Sequence, residues 1–406
     1  MSTTDILLTV SSCIFFMGLV AWISYQKTKG QTQSKDGYFL AGRSLSGIFI
    51  AGSLLLTNLS AEQLVGLNGS AYGFNMTSMA WEVTAGLAIV IMALILLPKY
   101  LRGAFTTLPE FLNARFDDDV RRLSVLLFML GYGLITIPSV LYSGSIAVLR
   151  LFDVPALLNV DYSTALVITI LFIGCIGSVY AIFGGLKAVA VSDTINGIGL
   201  LIIGLLIPVL GFIALGEGSF FTGIEYLVSK ETQKLNAIGN ADDPIPFGTI
   251  FTGMLLVNLF YWGTNQAIIQ RALGAKNLKE GQKGLLLAAF IKILGPLIVV
   301  LPGIIAFHMF GDTLNNPDAA NPTLITKVLP ASLVGFFAAV LFGAILSSFN
   351  SALNSSITLF GIDIYKSYLN KNASERETVW AGKRFGIVLA FFAMIVAPLI
   401  AYAPDG

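Results

Sequence analysis

Ten runs of apolar residues, each long enough to cross ~30 Å of hydrocarbon as a helix, divide the chain at about 6–24, 46–67, 79–98, 124–149, 163–184, 192–214, 249–270, 285–308, 330–360 and 384–403. The ninth is too long for one straight span and is expected to tilt or to continue as a helix beyond the bilayer. Two of the ten carry polar residues at mid-depth. In the second, Thr57-Asn58-Leu59-Ser60-Ala61-Glu62-Gln63 lies between the apolar flanks 48–56 and 64–67. In the seventh, Asn258-Leu259-Phe260-Tyr261-Trp262-Gly263-Thr264-Asn265-Gln266 repeats the pattern. An acidic side chain at the centre of a spanning helix costs about 2.5–3.5 kcal/mol on insertion scales. Such a run therefore persists where it faces protein or a water-filled cavity.

Interrupted segments at corresponding places in two halves of a chain point to a carrier with its site near the bilayer midplane. The composition agrees: 55% of the residues are hydrophobic and 12% charged, against roughly 25% charged in soluble domains. This excludes a soluble protein and makes the lipid bilayer a partner. Connections 25–45, 99–123, 185–191, 271–284 and 361–384 carry 19 Lys and Arg, while the intervening ones carry only Arg150, Lys230, Lys234 and Lys327. The alternation supports the count of ten spans and sets the basic connections in the cytoplasm. The first apolar segment follows Asp5 with no Lys or Arg ahead of it, so it reads as a retained span with the N-terminus outside, not a cleaved signal. The connection 216–246 reads as a surface loop with room for a short helix.

Cys13 and Cys175 lie in apolar segments and read as small buried hydrophobes. A single histidine, His308, leaves no basis for histidine metal or triad chemistry. No nucleophile–base or metal-ligand constellation appears, so no enzyme, organic cofactor, nucleic-acid partner or obligatory protein partner is expected.

On a continuous helix Asn58, Ser60, Glu62 and Gln63 would spread around the cylinder; an unwound stretch lets them line one cavity. Helix–helix hydrogen bonding is the plainer alternative. Asn258, Tyr261, Trp262 and Asn265 share a face through spacings of three and four, and the flat aromatic faces suit a sugar ring or a gate over one. Glu82 and Lys292 are opposite charges inside the third and eighth spans, either a structural pair or ligands held in reserve for a neutral polar solute. Ser347, Ser348, Asn350, Ser351, Asn354 and Ser355 form a hydroxyl and amide stripe in the ninth span. Small-residue packing explains part of it, and Ser347 and Ser348 suit a partly dehydrated Na⁺. Asp193 is expected at the cytoplasmic mouth of the sixth span, as a solvated loop carboxylate or a waypoint for a leaving cation. Gly184-Gly185 is a turn signal.

At these residues the chain resembles the sodium/solute symporter family, sodium/sugar branch. The likeness rests on Tyr38-Phe39-Leu40-Ala41-Gly42-Arg43-Ser44-Leu45, Asn58-Leu59-Ser60-Ala61-Glu62-Gln63, Trp81-Glu82, Gly184-Gly185-Leu186, Asn258 to Gln266, Ile269-Gln270-Arg271 and Leu346-Ser347-Ser348. It implies a LeuT-type all-α fold of two inverted repeats, with 1–45 as an extra first span and loop. Residues 46–215 would be repeat one, and 247–406 the first four spans of repeat two. It further implies that Gln63, Glu82, Asn258 and Lys292 bind sugar hydroxyls, supported by Asn58, with Tyr261 as the inner gate. The backbone at Leu56, Leu59 and Ala344, with the hydroxyls of Ser347 and Ser348, would hold Na⁺, and Asp193 would lie on its exit path. Ala85 stands where a sugar carrier has serine. Family members continue past Ala403-Pro404-Asp405-Gly406, so the second repeat is expected to be incomplete and the 406-residue form less stable and poorly coupled. The expected activity is Na⁺-coupled symport of a neutral polyhydroxylated solute, a hexose, at the inner membrane. The alternatives are symport of an inositol, a sialic acid or an amino acid, and a sensor that binds without transporting.

Overall fold

The computed structural model describes residues 3–28, 34–311, 313–314 and 316–402, apart from the side chains of residues 3–7 and of Arg150. The chain end 403–406 lies outside the described residues. Helices dominate. Among the described residues there is no strand beyond one isolated bridge between Leu45 and Ala275.

The first span is α1, Thr3–Thr28. Then comes a broken pair, α2 (Gly47–Asn58) and α3 (Ala61–Gly73), bent by 59°. Two long helices follow, α4 (Met76–Arg102) and α5 (Asp118–Leu149). The next, α6 (Tyr162–Leu215), has 54 residues. The seventh predicted segment is two short helices, α7 (Gly253–Thr264) and α8 (Gln266–Leu273). A second bent pair, α9 (Leu278–Leu294) and α10 (Pro296–Phe310), precedes α11 (Ala331–Leu369) and α12 (Glu375–Tyr402). Six of these helices are long and apolar enough to cross a membrane, or up to eight if each bent pair is one span.

Three features refine the sequence reading. At 1.5 Å per residue a straight α6 would run roughly 80 Å, far more than a bilayer. It covers the fifth and sixth predicted spans and turns at Gly185, where φ is +63° and ψ −174°, a region essentially reserved for glycine. A Cβ there would lie 2.9 Å from the Tyr38 carbonyl. Tyr38, Phe39 and Leu40 are fully buried under this turn, and Tyr38 Oη donates to the Ile182 carbonyl at 2.8 Å. The stretch Tyr38-Phe39-Leu40 is thus a staple for the turn. Second, the predicted eighth span is not continuous. It bends by 43° between Leu294 and Pro296, because Pro296 supplies no N–H and Gly295 N–H turns to the Lys292 carbonyl at 3.0 Å. Third, α11 does continue past one bilayer thickness, to Leu369, and 72% of its most apolar window is buried, which makes it the central helix. The connection after α6 carries the short helix Phe220–Ser229. His308, near the end of α10, has Nε2 3.0 Å from the Lys230 carbonyl.

The outward faces agree with a bilayer. On α5, Leu123, Leu126, Leu127, Leu130 and Leu134 are all exposed, a ridge that water would penalise and lipid would not.

Candidate functional site

Both polar interruptions break their helices. Leu59 (φ −73°, ψ 64°) ends α2, and Ser60 caps α3, its Oγ accepting from Gln63 N–H at 3.3 Å. Ser60 N–H, which in a continued helix would reach Leu56 O, donates to Asn58 O at 2.7 Å. Gln63 N–H is likewise drawn from Leu59 O to the cap. The Leu56 and Leu59 carbonyls are therefore released from their helical partners at mid-depth. The second break falls at Asn265, which caps α8 by accepting from Ala267 N–H at 2.9 Å.

Alongside the first break runs α11. Ser348 Oγ donates to the Thr57 carbonyl at 3.1 Å, and Thr57 Oγ1 lies 3.2 Å from Ser347 Oγ and 3.1 Å from Ser351 Oγ. Leu56, Leu59, Ala344 and Ser347 are buried here. Further along, the stripe is committed to packing. Ser355 Oγ donates to Gln270 Oε1 at 2.9 Å, while Gln270 Nε2 donates to Thr358 Oγ1 and to the Phe39 carbonyl, both at 2.8 Å.

Between α2, α3, α4, α7, α9 and α11 lies a cavity of about 440 Å³, within the usual range for small-molecule sites. It is lined by Asn58, Gln63, Glu82, Asn258, Tyr261, Lys292 and Ser348 together, residues that the sequence placed in separate spans. Lys292 Nζ donates to Glu82 Oε1 and to Asn58 Oδ1, so the two intramembrane charges are a direct ion pair. Both are essentially fully buried. Gly295 permits this approach, because a Cβ there would collide with the Glu82 carboxylate. Lys292 Nζ also lies 5.9 Å from the centroid of the Trp262 ring, and Tyr261 meets Trp262 edge to face at 5.3 Å. Asn258 donates to the Met254 carbonyl at 3.1 Å. Ala85 lines the cavity, and neighbouring Thr84 is tied to the Ala80 carbonyl at 2.6 Å. Two buried oxygens of the lining, Gln63 Oε1 and Glu82 Oε2, have no hydrogen-bond partner among the described residues.

Asp193 is not brought to this cavity, nor is it a solvated loop carboxylate. It lies inside α6, 2% exposed, because the turn at Gly185 folds the following half of α6 into the bundle. Its Oδ2 accepts from Ser53 Oγ at 2.6 Å and faces Arg271 Nη2 at 3.5 Å. Buried Arg271 donates also to Ser53, Ser351 and the Ala267 carbonyl.

Several site residues escaped the sequence reading. Tyr132, from a π-helical stretch Gly131–Thr136 in α5, lines the cavity and donates to Asn265 Oδ1 at 2.7 Å. Such stretches often mark functional positions, but the apolar run around Tyr132 hides it. Ser143 Oγ donates to Glu62 Oε1 at 2.7 Å; Glu62 lines both the main cavity and a neighbouring one of about 510 Å³.

Comparison with known proteins matches residues 38–403 to the profile described as "Sodium:solute symporter family". The chain is 50% identical over 400 residues to "Uncharacterized symporter YidK" of Escherichia coli (strain K12), covering 98% of this chain and 70% of that protein. It is 32% identical over 422 residues to the "Sodium/glucose cotransporter" of Vibrio parahaemolyticus, covering 98% of this chain and 76% of that protein. "Sodium/myo-inositol cotransporter 2" of Bos taurus is 30% identical over 438 residues, covering 99% of this chain and 62% of that protein. Among solved structures, that of a Na⁺-coupled sialic acid symporter in a substrate-bound outward-open state superposes with a TM-score of 0.84 at 22% identity, over 98% of this chain and 83% of that one. The all-helical bundle with its broken helices has the LeuT-type fold of that neighbour. The chain belongs to the sodium:solute symporter family.

Proposed function

We propose that this protein is an inner-membrane carrier, not an enzyme, that couples Na⁺ entry to uptake of a neutral polyhydroxylated solute, a hexose. One observation carries the reading. Gln63 Oε1 and Glu82 Oε2 are buried and, among the described residues, unpartnered, in the lining of a cavity whose wall includes the flat ring of Trp262. Buried acceptors without donors are costly, and the hydroxyls of a sugar would supply them. Gln63, Glu82, Asn258 and Lys292 then contact the solute, Asn58 holds Lys292 in place, and Tyr261 is the gate on the inner side.

The carbonyls of Leu56, Leu59 and Ala344, with the hydroxyls of Ser347 and Ser348, form the Na⁺ site, and Asp193 is a waypoint on the ion's exit. Na⁺ at the break fixes the α2–α3 junction that carries Asn58 and Gln63, so each ligand raises the other's affinity by the same factor. We take 46–215 as one inverted repeat and 247–406 as the first four spans of the other, each opening with its broken helix, in a ten-span chain with its N-terminus outside.

The charge around the cavity separates the alternatives. Lys292 is neutralised by Glu82, and Glu62, which accepts from Ser143, adds a carboxylate that makes no ion pair among the described residues. A neutral solute such as a hexose or an inositol suits this lining better than a sialic acid, whose carboxylate would meet no free cation among the described residues. A relative is named for glucose and another for myo-inositol, which supports the same class. The test is accumulation of labelled sugars by sealed vesicles, with Na⁺ and with choline in its place. Uptake unchanged by choline would end the coupling claim, and saturable binding without accumulation would make the protein a sensor.

A further inference from the structure

A third cavity, of about 460 Å³, lies between α12 and the residues leading into the Gly185 turn. Its wall includes Arg376, Lys383, Arg384 and Trp380 of α12 with Ile182 and Phe183 of α6. On α12, positions 376, 380, 383, 384 and 387 follow helical spacings of three and four, so they share one face. Among the described residues no carboxylate pairs with Arg376, Lys383 or Arg384. Nearby acids are engaged elsewhere. Glu377 accepts from Ser374 N–H at 2.8 Å and Oγ at 2.9 Å, and Glu375 Oε2 accepts from Lys35 N–H at 3.2 Å. The cations touch aromatic rings instead: Arg384 lies 3.7 Å from the Trp380 centroid and Lys383 Nζ 4.7 Å from that of Tyr38.

Along the same face the character then changes. Ile387, Phe391 and Ile395 are exposed, so the apolar stretch begins one turn beyond Lys383 and Arg384, while Trp380 lies among the cations. A cationic pocket that opens onto a lipid-facing stripe, at the end of the bundle bearing the basic connections, fits a ligand with a phosphate at one end and hydrocarbon at the other. We propose that this pocket binds the headgroup phosphate of an anionic phospholipid. Arg376, Lys383 and Arg384 hold the phosphate oxygens, for which the guanidinium fork is suited. The acyl chains lie along Ile387, Phe391 and Ile395. Basic pockets between helices are a known form of lipid recognition, and this one is independent of which solute the carrier moves.

The test uses the full chain in nanodiscs of phosphatidylcholine alone, with added phosphatidylglycerol, or with inorganic phosphate, read by native mass spectrometry and thermal melting. The wild type should retain phosphatidylglycerol in preference to phosphatidylcholine. R376Q/K383Q/R384Q should lower that preference by roughly fivefold per cation removed while melting normally in pure phosphatidylcholine. K276Q/K279Q, which removes two exposed cations elsewhere on the basic side, should leave it unchanged. If the triple variant does not fold, R376Q alone carries the same reading at smaller amplitude. Equal losses in the K276Q/K279Q protein would reduce the effect to general surface charge and overturn the site. Equal stabilisation by inorganic phosphate would assign the pocket to a soluble anion and overturn the lipid.

Discussion

Ser348 on α11 donates its hydroxyl to the Thr57 carbonyl on α2 at 3.1 Å, where Ala61 N–H would bond in an unbroken helix. A side chain from the central helix thus replaces a backbone bond at the break. Ser348→Ala is expected to lower the apparent Na⁺ affinity about fivefold, the size of one hydrogen bond of ~1 kcal/mol. The ranking of competing solutes should not change. A Na⁺ titration of uptake with a substrate panel checks both, and an unaltered titration would remove Ser348 from the ion site.

Gln63 makes the complementary case. Its Oε1 has no hydrogen-bond partner among the described residues, so Gln63→Ala should scarcely alter thermal stability. At saturating Na⁺ it should weaken solute binding by about 1–3 kcal/mol. Isothermal binding beside a melting curve separates the effects; normal solute affinity would show that the amide does not contact the solute.

Removing one half of the buried Glu82–Lys292 pair strands the other charge. Glu82→Gln alone should cost about 3–5 kcal/mol of stability. The double exchange E82Q/K292M, which strands no charge, should recover much of it without recovering solute binding. Equal melting temperatures for the single and double variants would contradict this.

Gly185→Ala tests the turn within α6. The backbone there is outside the range of L-residues and the Tyr38 carbonyl is close, so a loss of about 1–3 kcal/mol is expected. Gly18→Ala in α1, where an added Cβ would meet nothing within 4 Å, serves as the comparison in the same thermal melts.

The broken helices were legible because Asn58, Glu62 and Asn265 have no reason to sit at mid-depth unless the backbone opens around them. The cavity residues followed for the same reason. The bend at Gly295–Pro296 was missed because its apolar flanks match an unbroken span, although the proline marks it. The pairing of Asp193 with Arg271 was not legible. It depends on how α6 folds back at Gly185, and neither residue's neighbours reveal the other. Tyr132 was hidden by its apolar surroundings, since a π-helical turn leaves no periodicity to read.

Glu82 and Lys292 also have an electrical consequence. As a buried ion pair they present almost no net charge to the field across the bilayer, and Arg271 with Asp193 does likewise. With the proposed neutral cargo, the membrane potential would act chiefly on a Na⁺ held at the proposed site between α2 and α11, at about 2.3 kcal/mol per charge for each 100 mV. Transport would then be a current: in voltage-clamped liposomes, the charge displaced per solute molecule accumulated counts the ions carried in each cycle.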